Sequence, residues 1–359
     1  MFSLRVLFIH RFCGWGGVTV GVRRRVRGLR ELGVQADFLF LQDNGGSEMF
    51  SELPIRLFHT PDIREAEKIL RGGDYDVIST IDCPEIHEVL ETLPKKVGIV
   101  CEVRTPYPEH RKYVRDGKLP SNVGCIVTPS QSFRRLLEEE MAAGNRKIPI
   151  HVVPNHVEDD FSDASGSASC HYPKKVIGWV GRMDAIKNFE ELFEIAAFLA
   201  PVRADLEFFV VGRFSSDEST LFFKTVSKFK ARVNFVWLPF LDYRRMHLYY
   251  AFLRNSRGCL LSTSRGEAFS NVVLESMASC CPVVAADIEV LSELLSNGQC
   301  GALYEQGNID SAVDNVVKVL DDSSYRDAIV TAAHGKVKTH FTSQKVSPQW
   351  KKLFDSLLN

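Results

Sequence analysis

The feature that most constrains this chain is a repeated alternation. Short apolar runs rich in β-branched and aromatic residues recur along its 359 residues, with amphipathic segments between them. They fall at residues 4–9, 36–41, 55–59, 76–81, 97–103, 124–128 and 148–154 in the first half, and at 176–181, 206–212, 233–238, 259–263 and 282–286 in the second. Several are apolar at odd and even positions alike. A strand buried on both faces needs that composition, whereas a half-solvated strand alternates. Helices between such strands make right-handed crossovers, and these build parallel sheets covered on both sides. The pattern predicts an α/β chain with two Rossmann-like, doubly wound domains.

A length of 359 residues suits two domains, each with its own core. Residues 158–169 are acidic and rich in Ser and Gly, which reads as a linker. The expected plan is an N-terminal domain over 1–158, a linker over 159–173, a C-terminal domain over 174–345 and a terminal helix over 346–359. In that last segment Trp350, Leu353, Phe354 and Leu357 follow the i, i+3, i+4, i+7 spacing of one buried helix face.

Composition narrows the function classes. Hydrophobic residues make up 45% and charged residues 25%, with a net charge of −1, so bulk charge gives no reason to expect nucleic acid as a partner. No apolar run approaches the ~18 residues that span a bilayer. The first run is too short for the core of an export signal, so a cytoplasmic location is expected. Nine cysteines without a C-x2-C pair read as reduced, mostly buried thiols, and no zinc site is assigned. Asp74 and Asp76 form a D-x-D triplet, but it runs directly into an apolar run and reads as a strand entry. No metal is assigned to it.

The chemistry concentrates in two loops of the second half. Glu267 and Glu275 stand eight positions apart, around Phe269, Ser270 and Asn271. Ser270 is placed to cap a helix that contains Glu275. A helix N-terminus after a strand offers free N–H groups and a positive dipole end, which suits a phosphate. Carboxylates beside such a site cannot ligate phosphate, but they can accept hydrogen bonds from sugar hydroxyls. About 80 residues earlier, Gly181, Arg182 and Lys187 follow another strand. Open α/β sheets bind ligands at that end, and two cations there suit a diphosphate. Asn188 is placed to cap the next helix, with Glu191 as its capping-box partner.

The first half offers weaker signals. Gly14, Gly16 and Gly17 make a glycine-rich turn after the first strand, without the G-x-G-x-x-G spacing of a dinucleotide fingerprint. Arg23, Arg27 and Arg30 share one face of the next helix. That face is either solvated, or contacts an anionic acceptor, or makes weak peripheral contact with the cytoplasmic face of a membrane. Glu102 and Arg104 close another strand.

The Arg182/Lys187 loop followed by Glu267 and Glu275 resembles the signature of retaining glycosyltransferases of the GT-B fold, the family 4 type (glycosyl transferases group 1, E-x7-E). The resemblance implies two Rossmann-like domains facing a cleft, with the terminal helix crossing back to the first. It implies a nucleotide-sugar co-substrate, UDP- or GDP-linked before others, and neither cofactor nor metal. By it, Glu267, Arg182 and Lys187 would be catalytic. Gly16, Gly17, Gly181, Arg182, Lys187, Phe269, Ser270, Asn271 and Glu275 would hold the donor. Many members place a His near the transferred sugar where this chain has Arg104, so Glu102 and Arg104 become candidate sugar or acceptor contacts. The acceptor (glycan, lipid-linked or small molecule) stays open. A sugar-nucleotide epimerase, a phosphorylase or a non-enzymatic nucleotide-sugar binder would share the pattern.

Overall fold

The computed structural model describes residues 4–142, 147–163, 172–214, 219–229, 233 and 235–358. Contacts divide the chain into two compact units, Met1–His156 with Phe341–Asn359, and Val157–His340.

Among the described residues the first unit is built on seven strands: β1 (Leu4–Cys13), β2 (Val34–Asp43), β3 (Leu57–His59), β4 (Val77–Ile81), β5 (Gly98–Glu102), β6 (Cys125–Thr128) and β7 (Ile150–Val152). They pair in the order β3-β2-β1-β4-β5-β6-β7, with every ladder parallel. The second unit has six: β8 (Lys175–Val180), β9 (Leu206–Val211), β10 (Phe235–Leu238), β11 (Cys259–Ser262), β12 (Val283–Ala286) and β13 (Ala302–Tyr304). Their order is β10-β9-β8-β11-β12-β13, again parallel. Twelve of these thirteen strands lie within the apolar runs or extend them. β13 is the exception: Gly301 and Glu305 bound its three residues, so no longer apolar run marks it. In β1, the consecutive residues Val6, Leu7, Phe8 and Ile9 are all 0% exposed, so the strand is buried on both faces.

Each sheet reverses direction beside its first strand, between β1 and β4 and between β8 and β11. Loops leaving those two strands diverge to opposite faces and open a crevice at their carboxyl ends. Asp76 serves the entry to β4: its Oδ2 accepts the Arg5 N–H at 2.7 Å.

The chain returns to the first unit through the helix Ser343–Ser356. It packs on the helix Gly17–Glu31, and the crossing needs Gly28. A Cβ there would lie 2.1 Å from Ser347 Oγ and 2.3 Å from Ser343 Oγ. Trp350, Leu353 and Phe354 are buried on this helix.

The Arg-rich helix corrects an expectation. Arg27 and Arg30 are exposed, but Arg23, Arg24 and Arg25 are buried. Arg23 therefore does not share a solvated or membrane-facing surface with Arg27 and Arg30: its Nε donates to Met49 O at 2.7 Å. Arg24 Nη1 donates to His156 O at 3.1 Å, and Arg25 stacks 3.8 Å over the Trp350 ring. The helix carries these cations inward because carbonyls, a carboxylate and an aromatic face wait for them.

The segment that reads as a linker also begins in an ordered way. Asp160–Asp163 is helical, and Phe161 is 2% exposed, with its ring 6.2–6.3 Å from those of Tyr243, His247 and Tyr250. Positions 164–171 of that segment lie outside the described residues. Among the described residues no helix is long and apolar enough to cross a membrane. Among the described residues the cysteines form no disulfide and, except Cys280, are buried.

Candidate active site

The second unit's crevice is lined by the loops after β8 and β11, and these are stitched together. The Arg265 N–H donates to Ile186 O at 2.7 Å. Thr263 Oγ1 lies 2.9 Å from Lys187 O and 2.8 Å from Asn188 O, and it accepts Trp179 Nε1–H at 3.0 Å. Thr263 is 0% exposed, so one hydroxyl fixes the backbone that carries Lys187.

The two loops bring together Lys187 and Glu267, which are far apart in sequence. Lys187 Nζ donates to Glu267 Oε1 at 2.5 Å, and Ser264 Oγ donates to the same oxygen at 2.9 Å. Glu267 is 8% exposed. Lys187 keeps about a fifth of its side chain exposed, so the pair sits at the crevice edge. Arg182 is the most open member, with 63% of its side chain exposed and its Nε 3.3 Å from Asp184 Oδ2. Close approach of backbone makes this geometry possible. A Cβ at Gly181 would lie 2.9 Å from the Trp179 ring, and one at Gly212 would lie 1.8 Å from Gly181 O.

After β11 the chain enters the helix Asn271–Ala278, whose N-cap is Ser270. Ser270 Oγ accepts the Val273 N–H at 3.4 Å, as its position in the sequence predicts. Phe269 and Asn271 flank it, both half-buried. Glu275 is not a solvent-facing helix residue. It is 5% exposed, and its Oε2 accepts the Tyr250 hydroxyl at 3.0 Å. Burial and the neighbouring Glu275 carboxylate hold the Tyr250 phenol well above its usual range, so it stays a donor.

Asn188 does not cap its helix through its side chain. It adopts a left-handed conformation (φ 53°) with no side-chain cap bond. Its Nδ2 instead donates to Glu191 Oε2 at 2.6 Å, and Tyr304 Oη donates to Glu191 Oε1 at 2.7 Å. The cap is displaced because Asp184 takes the turn: its Oδ1 accepts the Lys187 N–H at 2.8 Å.

In the first unit Gly16 is the N-cap of the helix Gly17–Glu31, in extended conformation, and both glycines are exposed. Glu102 and Arg104 are brought together, but not as two surface contacts. Glu102 is 0% exposed. Its Oε1 accepts from Arg25 Nη1 at 2.5 Å and Ser79 Oγ at 2.8 Å, and its Oε2 accepts from Arg104 Nε at 2.5 Å. Burial pushes its carboxyl up, but Arg25 and Arg104 outweigh that and hold it below the usual range. Glu102 is thus an internal counterion, a correction to its reading as a sugar or acceptor contact. Arg104 remains a candidate.

Thr263, Ser264 and Tyr250 had no signal in the sequence beyond ordinary strand-end and helix composition. Among the described residues no cluster of three or more His, Cys, Asp or Glu side chains gathers as a metal site would require.

Known proteins share part of this sequence and its fold. Residues 170–336 match the family model described as Glycosyl transferases group 1. The capsular polysaccharide biosynthesis glycosyltransferase CapM of Staphylococcus aureus is 25% identical over 187 residues, covering 51% of this chain and 46% of that protein. The poly(ribitol-phosphate) alpha-N-acetylglucosaminyltransferase of Staphylococcus aureus (strain COL) is 20% identical over 260 residues, 70% of this chain and 47% of that protein. The chain therefore spans about half the length of these curated relatives. Among solved structures, Anabaena Alr3699/HepE in complex with UDP and glucose superposes with a TM-score of 0.80 at 17% identity, covering 99% of this chain and 100% of that one. The sucrose-phosphate synthase (tll1590) from Thermosynechococcus elongatus gives 0.81 at 14% identity, covering 99% of each chain. Residues 170–336 are thus similar to the glycosyl transferases group 1, a match over a little less than half of the chain, and the fold of the chain is GT-B.

Proposed function

We propose that this protein transfers a sugar from a nucleoside-diphosphate donor to an acceptor hydroxyl, with retention of anomeric configuration and without a metal. The observation that carries the reading is the Lys187–Glu267 pair where the loops of β8 and β11 meet, on the same loop after β8 that carries Arg182. A leaving diphosphate must be neutralised as its bond to the sugar breaks. Arg182, Lys187 and the N-terminus of Asn271–Ala278 supply fixed positive charge there, and fixed charge stabilises developing charge without reorganisation. Glu267 holds Lys187 in place and faces the donor sugar. Glu275, held by Tyr250, accepts a hydrogen bond from the ribose.

In this reading the second unit carries the donor site, and the glycine turn at Gly16 and Gly17 in the first borders the donor phosphates. Retention follows from attack on the same face as departure, with the leaving phosphate taking the acceptor's proton. The donor is assigned as UDP- or GDP-linked, and HepE, crystallised with UDP-glucose, is one structural neighbour that favours UDP.

The test is turnover in excess EDTA, with NMR of the first-formed glycoside. Undiminished activity and a retained anomer are expected. Activity lost to chelator and restored by Mn²⁺, or an inverted product, would falsify the proposal. UDP binding without any turnover of donor would leave only a binding protein. Glu275→Ala is expected to weaken binding of UDP by about 1.5–3 kcal/mol, since the lost bond is to a charged acceptor. Isothermal calorimetry measures this, and an unchanged Kd would remove Glu275 from the ribose. Tyr250→Phe should weaken UDP binding less, by about 1 kcal/mol, because it removes only the donor that orients Glu275.

A further inference from the structure

The turn that carries Lys187 ends on a left-handed residue, and a buried carboxylate holds it there. Asn188 has φ 53° and ψ 51° and is 1% exposed. A residue with a Cβ keeps that conformation only where its surroundings enforce it, and Asn tolerates it better than most. Two backbone contacts help: the Asn188 N–H donates to Asp184 O at 2.9 Å, and Asn188 O lies 2.8 Å from Thr263 Oγ1. The side chain makes the third, from Nδ2 to Glu191 Oε2. That bond also orients the amide. Its NH2 must face the carboxylate, so Oδ1 is turned away, buried and with no hydrogen-bonding partner. Among the described residues Glu191 is therefore the one group that bonds the Asn188 side chain.

Packing alone does not explain Glu191. It is 4% exposed, on the helix Phe189–Leu199, whose residues Phe189, Leu192, Phe193 and Ile195 enter the core. Carboxylates are rarely buried so far unless paired with a cation, and the two donors here, Asn188 Nδ2 and Tyr304 Oη, are neutral. The positive end of the helix favours an acid in its first turn, but half-buried Glu190 already supplies one. Nor is this the reciprocal capping box, in which the acid takes the N–H of the cap residue, because Asp184 O takes that N–H.

The far end of the network is rigid. Tyr304 is 1% exposed and ends β13, opposite Ala286 of β12, and its O accepts the Asp287 N–H at 2.8 Å. Burial and the Glu191 carboxylate hold its phenol well above the usual range, so it stays a donor. Glu191 thus braces the turn after β8 against the edge strand of the sheet. At the near end, Lys187 is the residue before Asn188. Its N–H is held by Asp184 Oδ1, and its ammonium meets Glu267. A change of φ or ψ at Asn188 re-aims Lys187 relative to the helix that follows.

We infer that Glu191 is a positioning residue for Lys187, acting through Asn188 to hold the turn that aims the ammonium at Glu267. The inference rests on the glycosyl-transfer reading, in which that ammonium meets the leaving diphosphate, and deepens it.

The test uses the full chain and three readouts: release of UDP from UDP-glucose in a single turnover, UDP affinity by calorimetry, and amide hydrogen exchange at Lys187 and Asn188. Glu191→Leu removes the acceptor and keeps an apolar side chain of similar size. Turnover should fall by about tenfold or more, because a shift of about 1 Å in a reacting-site group costs up to about 10²-fold, while the UDP Kd changes by less than about twofold. Exchange at Lys187 and Asn188 should quicken by about tenfold or more. Glu191→Gln is the conservative rescue. With the Asn188 amide turned over, the new amide donates to Asn188 Oδ1 and still accepts from Tyr304, so turnover should stay within about threefold of wild type.

Two double variants separate positioning from stability. Tyr304→Phe added to Glu191→Leu leaves an apolar pair in the core, so it should fold even where the single variant does not, and should regain melting temperature without regaining turnover. Glu191→Leu added to Lys187→Ala should lower turnover no further, because a residue that acts through Lys187 has nothing left to act on. Normal turnover in Glu191→Leu, turnover that recovers together with melting temperature, a full additional loss in the Lys187→Ala background, or unchanged exchange at Lys187 and Asn188 overturns the inference. The glycosyl-transfer reading fails separately, if wild type neither binds UDP nor cleaves UDP-glucose, and the exchange rates then still decide whether Glu191 holds the turn.

Discussion

Lys187→Ala is expected to lower turnover by roughly 10²- to 10³-fold, the loss of about 2.7–4 kcal/mol of transition-state stabilisation seen when one preorganised donor to a developing anion is removed. Two effects combine. The leaving diphosphate loses a cation, and Glu267, 8% exposed, loses the partner 2.5 Å from its Oε1. Single-turnover kinetics on the donor, beside calorimetry with UDP, separates the outcomes. The loss should fall mainly on turnover, because the charge that Lys187 meets grows as the bond breaks. A variant with normal turnover and weakened UDP binding would make Lys187 a ground-state anchor only. Glu267→Gln keeps size and should cost more than about tenfold. Because the two side chains touch, the double variant should fall short of the product of the single effects.

Trp350→Ala should destabilise the protein by about 3–5 kcal/mol, the range for truncating a buried Trp to Ala. Trp350 is 1% exposed, lies 3.8 Å beneath the Arg25 guanidinium, and belongs to the helix that returns to the first unit. Its removal leaves a cavity and strips one face from a buried cation. Burial already pulls the Arg25 guanidinium down to about 10, and Glu102 is the contact that opposes this. Urea unfolding followed by far-UV circular dichroism reads the change as a lower midpoint. Trp350→Phe, which keeps a ring beneath the cation, should recover more than half of that loss. A midpoint unchanged in Trp350→Ala would mean that the returning helix contributes little to the first unit.

What could be read directly were the features with a local cause. Parallel strands buried on both faces need unbroken apolar runs, so twelve of the thirteen described strands were visible, and β13 escaped because Gly301 and Glu305 bound it on either side and leave no longer apolar run. The Ser270 cap depends on neighbours three residues away, and it formed. Lys187 and Glu267 stood out as charged residues in loops at strand ends, and the structure joins them as an ion pair, while Glu275 lies inside the helix Asn271–Ala278.

The rest depended on distance in space. The arginine run looked solvated because helical spacing says which residues share a face, not what that face meets. Arg25 is buried because Glu102, 77 residues away, and Trp350, on the last helix, close around it. Glu102 changed from a candidate contact into an internal counterion for the same reason. Asn188 lost its capping role to Asp184 and Glu191. Thr263 and Tyr250 act through partners 76 and 25 residues away, and no local pattern marks such bonds. By itself the sequence determined the strands, the family signature and the charged loops, because periodicity and caps act over a few residues. Only the tertiary structure decided which charges are solvated, which are paired and which remain unmatched, because burial and ion pairing are set by what long-range packing brings alongside.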